Sequence, residues 1–180
     1  MLTDGNIPPY PLSLRLKPQE NPFFMKIVLL AVGEMKEPPL RELMQRYASR
    51  IPHYMPFEAV SLPDVRARGI SEDEQRRREG EAILGRVAPG DTVVLLDERG
   101  REMTSRELAS FIDRKASTLA RNLVFVIGGP YGFSPAVYDR ADMKLGLSRL
   151  TFTHEMARVL TAEQLYRAMT ILRGEPYHHD

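Results

Sequence analysis

The sequence predicts one α/β domain, built on a largely parallel sheet with helices over both faces. Three observations carry that expectation. Short apolar runs alternate with segments of helical periodicity from residue 27 onward. The runs Ile27–Val32 and Leu123–Ile127 are continuously apolar, as strands buried on both faces are. Two Ser/Thr-x-x-Glu capping boxes, at Ser71 and Thr104, mark where helices open between the strands.

In chain order, Ile27–Val32 is the first strand and ends at Gly33. After Pro38-Pro39, Leu40, Leu43, Met44, Tyr47 and Ile51 recur at helical spacing, and that helix stops before Pro52. Phe57–Leu62 is the second strand. The box Ser71-Glu72-Asp73-Glu74 opens a helix expected to reach about residue 87, with Ile83 and Leu84 facing inward. Pro89-Gly90 is a turn, and residues 92–96 form the third strand. The box Thr104-Ser105-Arg106-Glu107 opens the helix that carries Leu108, Phe111 and Ile112. Leu123–Ile127 is the fourth strand. Ser134-Pro135 reads as an N-cap followed by proline at the first helical position. A short helix, a fifth strand over 145–151 and a last helix over about 154–172 complete the domain, which spans 25–180.

Composition excludes several classes. With 43% hydrophobic and 27% charged residues, the chain is an ordinary globular protein. It has no cysteine, so neither disulfides nor thiolate metal sites arise. His53, His154, His178 and His179 show no metal-ligand spacing, and no metal is expected. No apolar run approaches the roughly 20 residues that cross a bilayer, so no membrane partner is expected. Residues 1–24 lack the basic start and apolar centre of a signal peptide. They read as a leader outside the domain, disordered or ahead of a natural start at Met25, and the expected location is cytoplasmic. A net charge of +1 means that any RNA contact must come from a local patch.

Ligands of open α/β sheets bind beyond the carboxyl ends of strands. The ends here are Leu95-Leu96-Asp97-Glu98-Arg99-Gly100, Ile127-Gly128-Gly129-Pro130-Tyr131-Gly132 and Leu147-Ser148-Arg149-Leu150-Thr151-Phe152. Paired glycines after a strand let backbone approach a ligand closely. Neither a phosphate-loop Gly-Lys-Ser/Thr nor a G-x-G-x-x-G fingerprint is present, which disfavours ATP and NAD. In the last helix, apolar residues from Met156 to Leu172 spread around most of the circumference, more than one core-facing stripe needs. Either deep burial within a single chain or burial on a second side by a twofold-related copy accounts for the excess, and the twofold copy is the preferred reading.

Together, Leu-Asp-x-x-Gly, Phe-Val-Ile-Gly-Gly-Pro-x-Gly, Leu-Ser-x-Leu-Thr-Phe-x-His, Glu-Gln-Leu-Tyr-Arg-Ala and a closing Gly-Glu-Pro-Tyr-His-His occur in order. In these motifs the chain resembles the RlmH family of 23S ribosomal RNA pseudouridine N3-methyltransferases, of the SPOUT class. The likeness runs from about Met25 to Asp180 and includes the opening Met-Lys-Ile-x-Leu-x-Ala-Val-Gly.

The resemblance implies a SPOUT-type α/β domain with a carboxy-terminal trefoil knot. It implies an S-adenosyl-L-methionine (SAM) pocket at Leu96, Gly128, Leu147, Ser148, Arg149, Leu150, Thr151 and Phe152, a homodimer, and no metal. The implied substrate is a pseudouridine of 23S rRNA on the assembled ribosome. N3 of that base must lose its proton before or during attack, so a base or a cationic stabiliser is needed. His154, Arg158, Arg167, Tyr177 and His178 match the family's final helix and tail as candidates, with the base unassigned among them. The chain departs from the family pattern at Tyr131, where Glu or Asn is frequent, at Thr153 in place of Pro, and at His179 in place of a basic residue. The leader has no family counterpart.

Three other readings compete: a SPOUT enzyme for another RNA, such as transfer RNA; a non-catalytic ribosome-binding factor; and a generic nucleotide-binding domain. The compact size opposes the first and the missing phosphate loops oppose the last, while calorimetric titration with SAM separates the second. For the homodimer, sedimentation at micromolar concentration is expected to give a species of two chains. A monomer under those conditions excludes it.

Overall fold

Among the described residues, every strand is joined to the next through a helix, and the five-stranded sheet is parallel throughout. The computed structural model describes residues 25–65, 69–118 and 121–178. The leader expected over 1–24, and His179 and Asp180 of the tail, lie outside the described residues. The elements are β1 (Ile27–Val32), α1 (Pro38–Arg50), β2 (Phe57–Leu62), α2 (Glu72–Leu84), β3 (Thr92–Glu102), α3 (Ser105–Thr118), β4 (Leu123–Ile127), α4 (Pro135–Arg140), β5 (Met143–Gly146) and α5 (His154–Arg173). The strand order is β2-β1-β4-β3-β5.

Alternation along the central strands divides the core. Ile27, Leu29, Leu123, Phe125 and Val94 face a layer formed by α1, α3 and α5, against Met44, Ile112, Val159, Ala162 and Leu165. Leu30, Val32, Val93, Val124 and Val126 face α2 and α4, against Ile83, Phe133 and Val137. Both faces are thus covered, which is why the strands read as unbroken apolar runs.

The helix-start signals act unequally. At Thr104 the box is complete: the Glu107 amide donates to Oγ1 of Thr104 at 3.2 Å, and the Thr104 amide to Oε2 of Glu107 at 2.8 Å. At Ser71 the hydroxyl accepts from the Glu74 amide, but the Glu74 carboxylate turns to Arg77 and Arg78. Ser134 has the extended backbone of an N-cap without a side-chain cap bond. Its hydroxyl faces α2, where a Cβ on Gly80 would stand 2.3 Å from it. Helix α2 stops at Leu84, short of the expected 87, with Gly85 as its C-cap. Helix α5 ends as a glycine cap requires, at Gly174 with φ 69°.

Two strand boundaries differ from expectation for one reason. Strand β3 runs to Glu102 instead of 96, and β5 spans Met143–Gly146 instead of 145–151. Leu145 pairs first with Leu96 and again with Arg101, so the chain bulges out over 97–100 and returns to the same partner. Only glycine permits the return. A Cβ on Gly100 would lie 2.5 Å from the carbonyl carbon of Leu145 and 2.6 Å from the amide nitrogens of Leu145 and Gly146. Residues 147–153 are thereby released from the sheet as irregular backbone.

The last helix is buried mainly by its own chain. Val159, Ala162, Leu165, Ala168 and Met169 are buried in the layer shared with α1 and α3. Met156 and Leu160 stay half-buried. Among the described residues, no helix is long and apolar enough to cross a membrane.

Backbone atoms oppose Gly100 and cannot rotate aside. Gly100→Ala is therefore expected to cost about 1–3 kcal/mol in urea unfolding, the range for forced overpacking. An unchanged midpoint would mean that the two strands separate freely at this point.

Candidate active site

The three strand ends meet. Beyond β3, β4 and β5 lies a cleft of about 790 Å³ lined by Leu96 to Arg99, by the glycine loop from Ile127 to Phe133, and by Leu147, Ser148 and 150–154. Its floor is apolar, from Leu96, Ile127 and Leu147, and its rim carries Asp97 and Glu98. Of the residues expected to bind cofactor, Leu96, Gly128, Leu147, Ser148, Leu150, Thr151 and Phe152 line this cleft. Arg149 does not: its side chain is 91% exposed and faces Glu102 at 3.7 Å. The 147–153 segment is shaped locally, the Leu150 amide donating to Oγ of Ser148 at 3.0 Å. Thr153 caps α5, its hydroxyl accepting from the Met156 amide.

The glycines serve close packing behind the cleft. A Cβ on Gly128 would meet the Phe133 ring at 3.0 Å, and one on Gly129 the Glu79 carboxylate at 2.2 Å. Glu79 is buried on α2 and accepts a hydrogen bond from Gln75 at 2.8 Å.

Among the lining residues missed from sequence are Arg76 of α2 and Tyr138 of α4. Tyr138 donates to Oδ2 of Asp97 at 2.6 Å. Burial first, and that bond second, push its hydroxyl up to about 12, so it serves as a donor at neutral pH. Both residues sit on helices whose sequence speaks only of packing.

The five candidate catalytic residues fall into three places. His154, first residue of α5, lines the cleft. Arg158 is buried beneath the sheet: Nη2 donates to the carbonyls of Val32 and Gly33, both at 2.6 Å, and Nη1 to Ser61 at 3.4 Å. Burial lowers its affinity for the proton, offset in part by Glu34 and Glu155. Arg167, Tyr177 and His178 form a third group. Arg167 donates to Oε1 of Glu163 at 2.9 and 2.5 Å, lies 4.8 Å over the Tyr177 ring, and places Nη1 3.4 Å from Nδ1 of His178. Tyr177 also donates to Glu163, at 3.2 Å. Burial, with Tyr47 and Glu163, raises the Tyr177 hydroxyl well above its ordinary value. The tail residues Tyr177 and His178 are therefore folded back onto α5. At 1.5 Å per residue, this group lies about 20 Å along the helix from His154.

Glu155 ties α5 to the start of α1. Its carboxylate accepts from the amides of Lys36 and Glu37 at 3.0 and 3.1 Å. Those bonds hold its pKa below the ordinary range.

No group of three or more His, Asp or Glu side chains that could hold a metal ion occurs among the described residues. Residues 25–178 match the family described as predicted SPOUT methyltransferase. The chain belongs to the SPOUT methyltransferase family. It is 47% identical over 157 residues to the ribosomal RNA large subunit methyltransferase H of Parabacteroides distasonis, covering 87% of this chain and all of the relative. The protein of the same name from Porphyromonas gingivalis is 50% identical over 157 residues, with the same coverage. That of Cytophaga hutchinsonii is 45% identical over 155 residues, covering 86% of this chain and all of the relative.

The lowered pKa of Glu155 sets a sign. Its contribution is present above the unfolded-state value of about 4.3 and is lost as pH falls through the folded value. The stability advantage of wild type over Glu155→Gln in urea unfolding is expected to be largest near pH 7 and to shrink as pH falls below about 4. An advantage that does not change with pH would show that the carboxylate's charge plays no part.

Proposed function

We propose that this protein transfers a methyl group from SAM to N3 of a pseudouridine in large-subunit ribosomal RNA. Substrate would be presented on the assembled ribosome in the cytoplasm, and the enzyme would work as a homodimer with a trefoil-knotted carboxy-terminal segment. The observation that carries the reading is a cleft where three strand ends meet, in a SPOUT chain alike over nearly its whole described length to proteins named ribosomal RNA large subunit methyltransferase H.

The lining suits SAM. Leu96, Ile127 and Leu147 offer apolar surface for an adenine, and Asp97 and Glu98 offer acceptors for hydroxyl or cationic groups. Bound there, SAM supplies a methyl already activated on a sulfonium. The protein's part is alignment, plus management of the N3 proton. His154 lines the cleft, where it would meet the base. Arg167 and His178 are suited to stabilise the anion that forms as N3 loses its proton. Arg158, committed to the carbonyls ending β1, serves the frame of the site.

The 20 Å between His154 and the Arg167 group argues that one chain does not complete a site. Met156, Leu160, Glu163 and Arg167 form a half-buried stripe along α5. Antiparallel packing of two such stripes about a twofold axis brings the tail group of each chain toward the cleft of the other. The knotted path would run from β5, packed closely on Gly100, through 147–153 into α5.

Mass spectrometry of ribosomal RNA from cells with and without the protein is expected to differ by one methyl group on one pseudouridine. No such difference would refute the assignment. In vitro, deleting residues 177–180 is expected to abolish turnover while SAM affinity persists. Mixing that chain with inactive His154→Ala chains is expected to restore up to about a quarter of wild-type activity, because about half of all dimers are then mixed and each of these carries one intact site of two. No recovery on mixing would place both groups in one chain.

A further inference from the structure

The glycine loop presents an aromatic ring that the walls of the cleft do not use. After β4, the Gly132 amide donates to the Gly129 carbonyl at 3.1 Å, closing a tight turn in which Gly132 takes φ 75°. Both flanks of the turn are anchored, Gly129 against the buried Glu79 and Phe133 inside the α2–α4 layer. Tyr131 stands at the apex and remains 41% exposed while lining the cleft. Holding a large ring in water on a rigid turn forgoes the burial that usually justifies it.

Two of the other cleft aromatics are engaged with each other, and Phe152, as exposed as Tyr131 at 41%, stands on a different wall. Phe133 and Tyr138 pack edge to face at 5.7 Å, and the Tyr138 hydroxyl is tied to Asp97. Phe152 lies on the 147–152 stretch, on the side read as cofactor-binding. Tyr131 is the ring left on the glycine-loop lip.

We infer that Tyr131 is the surface on which the target nucleobase stacks during methyl transfer, a positioning residue that touches substrate. The inference rests on the RNA-methylation reading, and chemistry selects the mode of contact. N3 lies on the Watson–Crick edge of the base, so an enzyme that alkylates it must leave that edge open. Stacking on the flat face grips the base without touching the edge. It also fixes the plane of the ring, and with it the direction of the in-plane N3 lone pair that must point at the methyl carbon. A stacked aromatic is worth roughly ten- to a hundredfold in binding per base.

The test uses ribosomes lacking the modification. Steady-state kinetics would be measured for wild type, Tyr131→Phe and Tyr131→Ala, with SAM affinity taken from calorimetry. Tyr131→Phe is expected to stay within about threefold of wild type, because stacking needs the ring and not the hydroxyl. Tyr131→Ala is expected to lose roughly ten- to a hundredfold in kcat/KM for ribosomes, with SAM affinity unchanged. The chain has no tryptophan, so Tyr131→Trp introduces a single indole reporter. Its emission is expected to be unaffected by SAM alone. Full activity of Tyr131→Ala, an equal loss in Tyr131→Phe, weakened SAM binding, or quenching by SAM would each overturn the inference. Wild type that methylates no pseudouridine would instead overturn the reading on which it rests.

Discussion

The contact between Gly100 and the backbone of Leu145–Gly146 governs the functional half of the molecule. It lets the chain leave the sheet after Leu96, expose Asp97 to Arg99, and return to a strand it has already paired with. The same contact ends β5 and releases 147–153 to line the cleft. A single residue without a side chain therefore sets two of the three cleft walls, and steric exclusion is the physical cause. The third wall uses the same device: Gly128 and Gly129 are held tight against Phe133 and Glu79.

Around that crossing, the site separates rigid from adaptable parts. Its floor is made of strand ends locked by a sheet buried on both faces, while its rim is made of short irregular segments. Tyr138 bridges the two by reaching from α4 to Asp97. Behind the glycine loop, Glu79 accepts from Gln75. Such a frame keeps its geometry before any ligand arrives, the condition under which alignment contributes to rate.

Local physics was legible in the sequence, and tertiary steric relations were not. Apolar runs, prolines and the Thr104 box identified the elements and most of their ends, because those signals act within a few residues. The extension of β3 could not be read, since it depends on Gly100 meeting residues 45 positions later in the chain. Ser134 carried a cap signature, yet its hydroxyl lies against Gly80. The motifs led to the cleft but not to its division of labour. Arg158 looks like a free cation in the sequence, and only the fold reveals that its guanidinium is spent on two strand-end carbonyls. Arg76 and Tyr138 gave no sign of themselves, because their elements were recognisable by packing alone.

Glu155 and Arg158 lie one helical turn apart on α5, and both bind the main chain of the connection between β1 and α1. Helix α1 has no side-chain cap and no acidic residue in its first turn. A chain made from its amino terminus thus holds β1 and α1 for more than a hundred residues before the groups that seat the link between them exist. The beginning of the domain takes its final shape only when its end has been synthesised, so the last helix is also the last step of folding for the first.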